Sequence, residues 1–224
     1  MSMGRSLGLA AVISAALGTP HSGGRARWLC DAAREVLDVD GVSLALPHRH
    51  AGARALLAAT DDITAAIEAA DDVLGIGPTH VAGAGTAVLL RPETAAPPWG
   101  ALVAQFSNAP APRWVLAVPA RDRDVVVATL LVHTDRPDVV QQAQWVGEVA
   151  EAVVIMLTAR PPEEWLEPAL AAGDLTNQAI GMLMAEHTID AHSALDVLRS
   201  HAFTAGSRLD VAALRVLDAP RGGR

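Results

Sequence analysis

The chain has 224 residues, 51% hydrophobic and 19% charged, which is enough apolar material for one large core or two small ones and excludes a disordered or low-complexity chain. All 17 basic residues are arginine; without lysine there is no Walker A loop, Schiff-base catalyst or protein-kinase lysine. The net charge of −8 argues against non-specific coating of nucleic acid or anionic membrane, and one cysteine cannot form an internal disulfide.

Residues 7–17 are apolar apart from Gly8 and Ser14. They fall short of the roughly 18 residues a membrane span needs, and read either as a short helix packing on the adjoining domain or as a signal-like segment behind Arg5. A turn-like stretch occupies 19–24. From Ala26 the spacing of Leu29, Ala33, Val36 and Leu37 predicts a helix, and Asp40-Gly41 a turn. Residues 42–46 alternate as a strand, with 54–60 as an antiparallel partner. Asp61-Asp62 opens a helix carrying Ile63, Ile67, Ala70 and Leu74, and the loop Gly75-Ile76-Gly77-Pro78 stops it.

A short strand at 87–90, a helix at 98–106 and two strong strands at 114–118 and 125–133 come next, the last two joined through Arg121-Asp122-Arg123-Asp124. One long helix is predicted over 138–159, with Val139, Ala143, Val146, Ala150, Val153 and Leu157 along one side. Strands interspersed with helices around a central hairpin predict a mixed α and β sandwich rather than a bundle.

Pro161-Pro162 cannot continue a helix and marks the clearest boundary. The expected division is a segment at 1–24, a sheet domain at 25–160 and a helical module at 161–224. After a short helical piece ending at Gly173, three amphipathic helices are expected. The first, 174–187, carries Leu175, Ala179, Met182 and Leu183. The second, 191–204, carries Ala191, Ala194, Leu195, Leu198 and Ala202. The third opens on Ser207-Arg208-Leu209-Asp210, spaced as a capping box, and presents Val211, Leu214 and Leu217.

Within this module, Asn177-Gln178-Ala179-Ile180-Gly181-Met182-Leu183-Met184 resembles the opening signature of an ANTAR domain. The resemblance continues through residues 194–203 and 208–212. It implies a three-helix unit that binds paired RNA hairpins in nascent transcripts and prevents termination, in a cytoplasmic regulator. Candidate RNA contacts are Arg199, His201, Arg208 and Arg215, with Asn177 and Gln178 able to hydrogen-bond base edges or sugar hydroxyls. Ala179, Gly181 and Ala202 are small positions that let a helix or an RNA backbone approach. Met182, Met184 and Phe203 are expected in the core. Three arginines face six carboxylates over 174–218, a net −3, and Ile180 stands where the family often has lysine. That charge keeps open a second reading, in which the bundle docks protein and binds no RNA.

Residues 25–158 resemble a GAF domain, through Trp28-Leu29-Cys30-Asp31-Ala32-Ala33, residues 37–44, the loop Gly75-Ile76-Gly77-Pro78 and the hairpin at 114–133. Ile76 and Thr79 depart from that family's acidic residue and cysteine. The resemblance implies a fold of class α+β, an antiparallel sheet flanked by helices, that serves as a small-molecule pocket or a dimerisation unit; the chain as a whole is then a signal-responsive homodimer candidate. No cofactor, metal or enzymatic chemistry is indicated. His48-Arg49-His50 lacks a third ligand, Gly83-Ala84-Gly85-Thr86 lacks a phosphate-loop lysine, and Cys30 has no histidine partner.

Overall fold

A computed structural model describes residues 3–18, 23–47, 54–95, 97–140, 142–161 and 165–219. His48, Arg49, His50, Pro162 and most of the turn at 19–24 lie outside them. The elements in chain order are α1 (Met3–Gly18), α2 (Gly24–Leu37), β1 (Gly41–Leu46), β2 (Ala55–Ala59), α3 (Asp62–Leu74), α4 (Pro78–Gly83) and β3 (Val88–Leu90). A turn of 3-10 helix (Pro92–Thr94) precedes α5 (Trp99–Phe106), β4 (Trp114–Asp122), β5 (Val125–Thr134), α6 (Pro137–Val140) and α7 (Ala143–Thr158). The chain closes with α8 (Glu167–His187), α9 (Ala191–Thr204) and α10 (Leu209–Asp218).

The five strands form one antiparallel sheet in the order β2-β1-β5-β4-β3, so the architecture is α+β. Because successive side chains leave opposite faces of a strand, β4 and β5 feed two cores. Leu116, Val118, Leu130 and Val132 join Val42 and Leu44 against α1, α2 and α7. Val115, Ala117 and Leu131 point the other way, toward α3 and α5. β1 is therefore buried on both faces along Gly41–Ala45, which a half-exposed alternating strand would not be. The apolar N-terminal segment is a helix packed on α2 and α7, with Val12 and Ala16 in the core.

Three expectations are corrected. The helix over 138–159 is two helices: α6 packs against β4, the chain leaves helical geometry at Gln142 (φ −100°, ψ 35°), and α7 continues along α1 and β4. The short piece ending at Gly173 is the start of α8, which runs through that glycine without a break. Glycine inside a helix costs about 1 kcal/mol relative to alanine but does not end one unless the next residues leave helical geometry. The Arg121–Asp124 link is tighter than expected, because β4 extends to Asp122 and only Arg123 (φ +55°) and Asp124 make the turn.

α3 is the element on which the rest turns. Asp61 caps it: its carboxylate accepts from Thr64 N at 2.8 Å and from the Thr64 hydroxyl at 2.7 Å, and His133 Nε2–H donates to it at 3.2 Å. Gly41 makes that approach feasible, since a Cβ there would sit 1.9 Å from the Asp61 carboxylate and 2.3 Å from the His133 ring. One face of α3 lies on the sheet. Another receives the C-terminal helices, with α9 and α10 packed on α3 and α8 on β2.

Candidate nucleic-acid interface

The C-terminal helices share a core of small and aliphatic side chains: Ala179, Ile180 and Leu183 from α8, Ala194, Leu195, Leu198 and Ala202 from α9, and Leu209, Ala212 and Ala213 from α10. Alanines at the crossings let the helix backbones approach closely, so a compact bundle forms with few large residues. The turn between α8 and α9 is set by Thr188 in the left-handed region (φ 56°) and by Asp190, whose carboxylate accepts from Ser193 N at 2.8 Å. The expected capping box at Ser207 is absent. Arg208 is the residue before the first turn of α10, and the Ser207 hydroxyl is buried without a hydrogen-bond partner. The buried stripe of α10 is accordingly Leu209, Ala212 and Ala213, and Val211 and Leu214 face outward.

The sequence-derived candidates separate into groups. Asn177 and Gln178 are exposed on α8, and Gly181, one turn on, opens on empty space, so a Cβ added there would meet nothing within 4 Å. With the exposed Ala185 they form a polar strip free of bulky side chains. Ala179 and Ala202 are buried packing residues; Gly181 is not. His201 is exposed near the end of α9, and so is Phe203, at 46%, against the expectation of burial. The stripe 194, 195, 198, 202 takes the inward positions of α9 and leaves 203 a step round the helix. Met182 and Met184 are half-buried.

The three arginines do not share one face. Arg215 is exposed on the outer side of α10, beside Val211 and Leu214 in the helical repeat. Arg208 pairs with Asp210 at 3.2 Å and lines two cavities of about 150 Å³ each against α3. Arg199 is turned into the sheet domain with its side chain 15% exposed. Its Nε–H donates to the Asp72 carbonyl at 3.0 Å and Nη2–H to His80 Nε2 at 3.3 Å, while Nη1 lies 3.4 Å from Asp196.

Beside Arg199 lies a buried polar cluster that reading the sequence missed. Arg54 Nη1 sits 2.9 Å from Glu68 Oε2, and its Nη2 sits 3.0 Å from Asp72 Oδ1. Glu68 Oε1 accepts from the Ser43 hydroxyl at 2.5 Å; Asp71 accepts from Thr79 N at 2.6 Å and from His80 Nδ1–H at 2.5 Å. Burial pushes the Glu68 carboxyl up, and Arg54 only partly offsets it. Burial would push Asp71 up too, but Arg54 and His80 outweigh it and hold that carboxyl below its ordinary value. The signal was available as Glu68, Asp71 and Asp72 in a helix otherwise placed in the core, since charges that deep are buried in pairs or not at all. Burial also pushes the Cys30 thiol up, so it is an inert core residue. Among the described residues no group of three or more His, Cys, Asp or Glu side chains is placed to hold a metal, and no helix is long and apolar enough to cross a membrane.

Comparison with protein-family models matches residues 164–217 to the ANTAR domain. No curated protein matches the chain. Among solved structures, the GAF domain of an Acinetobacter phosphoenolpyruvate-protein phosphotransferase aligns at 14% identity and TM-score 0.39, covering 72% of this chain and 99% of its own. The GAF domain of the Coxiella burnetii phosphoenolpyruvate-protein phosphotransferase aligns at 13% identity and TM-score 0.38, over 69% of this chain and 98% of its own. The helical module packed behind the antiparallel sheet is thus an ANTAR domain, the RNA-binding unit of transcription antitermination regulators.

Proposed function

We propose that the chain is a signal-responsive antitermination regulator. Its ANTAR module binds paired hairpins in a nascent transcript, under the control of a GAF-like domain spanning residues 25–160. The observation that carries this reading is the open strip of α8. Asn177 and Gln178 offer donors and acceptors to base edges and ribose hydroxyls, and Gly181 leaves room for a sugar-phosphate backbone. Phe203 adds an exposed ring on which an unpaired base can stack, a contact worth about 1–3 kcal/mol. In this reading the protein is cytoplasmic, a homodimer in its active form, and takes its signal as a small molecule or a partner at the sheet domain.

The test is binding of a fluorescently labelled two-hairpin RNA to the full chain across a salt series. Affinity should fall as salt rises, because phosphate contacts release counterions. Phe203→Ala should weaken binding about tenfold without lowering the melting temperature. The net charge of −3 and the outward Val211 and Leu214 favour a rival in which the bundle docks protein. Absence of RNA binding at low salt would select that rival.

A further inference from the structure

We propose that Arg199 is an intramolecular latch: the sheet domain holds this guanidinium in a socket built from α3 and α4, and the ANTAR module must give up that contact to use the arginine on RNA. The latch rests on the module binding RNA and adds how that binding is restrained.

The socket has three walls, each from a different position of the sheet domain. The first is the carbonyl of Asp72, in the last turn of α3. Carbonyls there lack an intrahelical donor and stand at the negative end of the helix dipole, so a guanidinium is a favourable cap. Arg199 supplies it across 127 residues of sequence, Nε–H to O at 3.0 Å. The second wall is His80. Its Nδ1–H donates to Asp71, which leaves Nε2 as the ring's acceptor, and that nitrogen accepts from Arg199 Nη2–H at 3.3 Å. The third wall is Gly75, at φ +69°, where a Cβ would lie 2.6 Å from the guanidinium carbon. Only a residue without a side chain leaves the socket open. The preceding residue of α9, Leu198, is fully buried in the same cluster as Ile67, Ala70 and Val73 of α3, so seating the arginine and packing the module go together.

Competition arises from scarcity. Residues 174–218 carry Arg199, Arg208 and Arg215 against six carboxylates, so a seated Arg199 removes one of the three cations of that span from phosphate contact. When the binding-competent state is a fraction of the population, apparent affinity falls by that fraction. A signal that loosens α3 or α4 from α9 therefore raises RNA affinity without changing any residue of the ANTAR module.

The latch is tested with two single variants of the full chain, both outside the module. Gly75→Asn keeps a residue that accepts left-handed geometry and fills the socket. His80→Arg keeps a donor beside Asp71 and turns a positive charge on Arg199 where the neutral ring offered an acceptor. Each is checked for folding by circular dichroism, and either one that folds suffices. Affinity for the two-hairpin RNA at fixed salt should tighten at least about tenfold, and adding Arg199→Ala should abolish the gain. If the wild type binds and the folded variants stay within about twofold of it, the latch is overturned and RNA binding stands. If none of them binds at low salt, both readings fall.

Discussion

Arg54, Glu68 and Asp71 lie in the sheet domain with side chains no more than 4% exposed, whereas no charged residue of 174–218 is buried. The sheet domain braces α3 with a buried network of charge pairs, and the ANTAR module is held by alanine and leucine packing with its charges kept at its surface. The two regions meet along α3, where Arg199 reaches the Asp72 carbonyl and His80. Displacing any member of a buried polar network leaves its partners unpaired, a cost that apolar contacts do not carry. The difference sets a sheet domain braced by buried charge pairs beside a module packed on it through apolar side chains.

The sharpest way to break this comparison is Arg54→Ala. It leaves Glu68 facing Asp71 and Asp72 with no buried cation between them, and removing one partner of a buried pair costs about 3–5 kcal/mol. Urea unfolding of the variant should show a loss of that size. A loss below about 1 kcal/mol would mean that the cluster is wet and does not brace the sheet domain.

That network also marks where the sequence was legible and where it was not. Asp61, the apolar positions of α3 and Gly75 announced a capped helix, and the structure gives one over Asp62–Leu74. The apolar runs at 114–118 and 125–133 announced the central hairpin, because strands feeding two cores are apolar on both faces. Short-range pattern failed where a distant element decided the outcome. The helical repeat through 138–159 carries no mark of the interruption at Gln142, which arises because α6 packs on β4 while α7 runs along α1. In α10 a three-residue spacing pointed to Val211 and Leu214, yet the inward stripe is Leu209, Ala212 and Ala213. At the candidate site, Asn177 and Gln178 were readable through the resemblance of residues 177–184 to the ANTAR opening signature. The seat of Arg199 was not, since its partners Asp72 and His80 lie more than a hundred residues away.

A second test concerns the other end of α3 and has a defined sign with pH. Burial tends to raise the Asp61 carboxyl, but hydrogen bonds from His133 and from Thr64 overcome it and hold the group well below the usual carboxylate range. A carboxyl depressed in the folded state contributes stability that is present above its unfolded value and lost as pH falls through the folded one. Asp61→Ala should therefore cost about 1–2 kcal/mol at neutral pH through the lost cap. Below about pH 4 the gap from wild type should narrow, because the unfolded chain takes up a proton at Asp61 while the folded carboxylate stays ionised. Thermal melts at several pH values measure it; a gap that widens toward acid would contradict the assignment.

The smallest expected effect separates fold from function within the module itself. Gly181 lies mid-helix in α8, exposed, with nothing within 4 Å of where a Cβ would stand. Gly181→Ala removes backbone freedom from the unfolded chain and meets no neighbour, so it should stabilise the helix by about 0.5–1 kcal/mol. A glycine kept for packing would respond in the opposite direction, because the added methyl would collide. If the strip of Asn177, Gln178 and Gly181 receives a sugar-phosphate backbone, the same substitution weakens RNA binding while the melting temperature rises. A higher melting temperature with unchanged affinity would move the RNA off α8 and toward the exposed end of α9, where His201 and Phe203 stand.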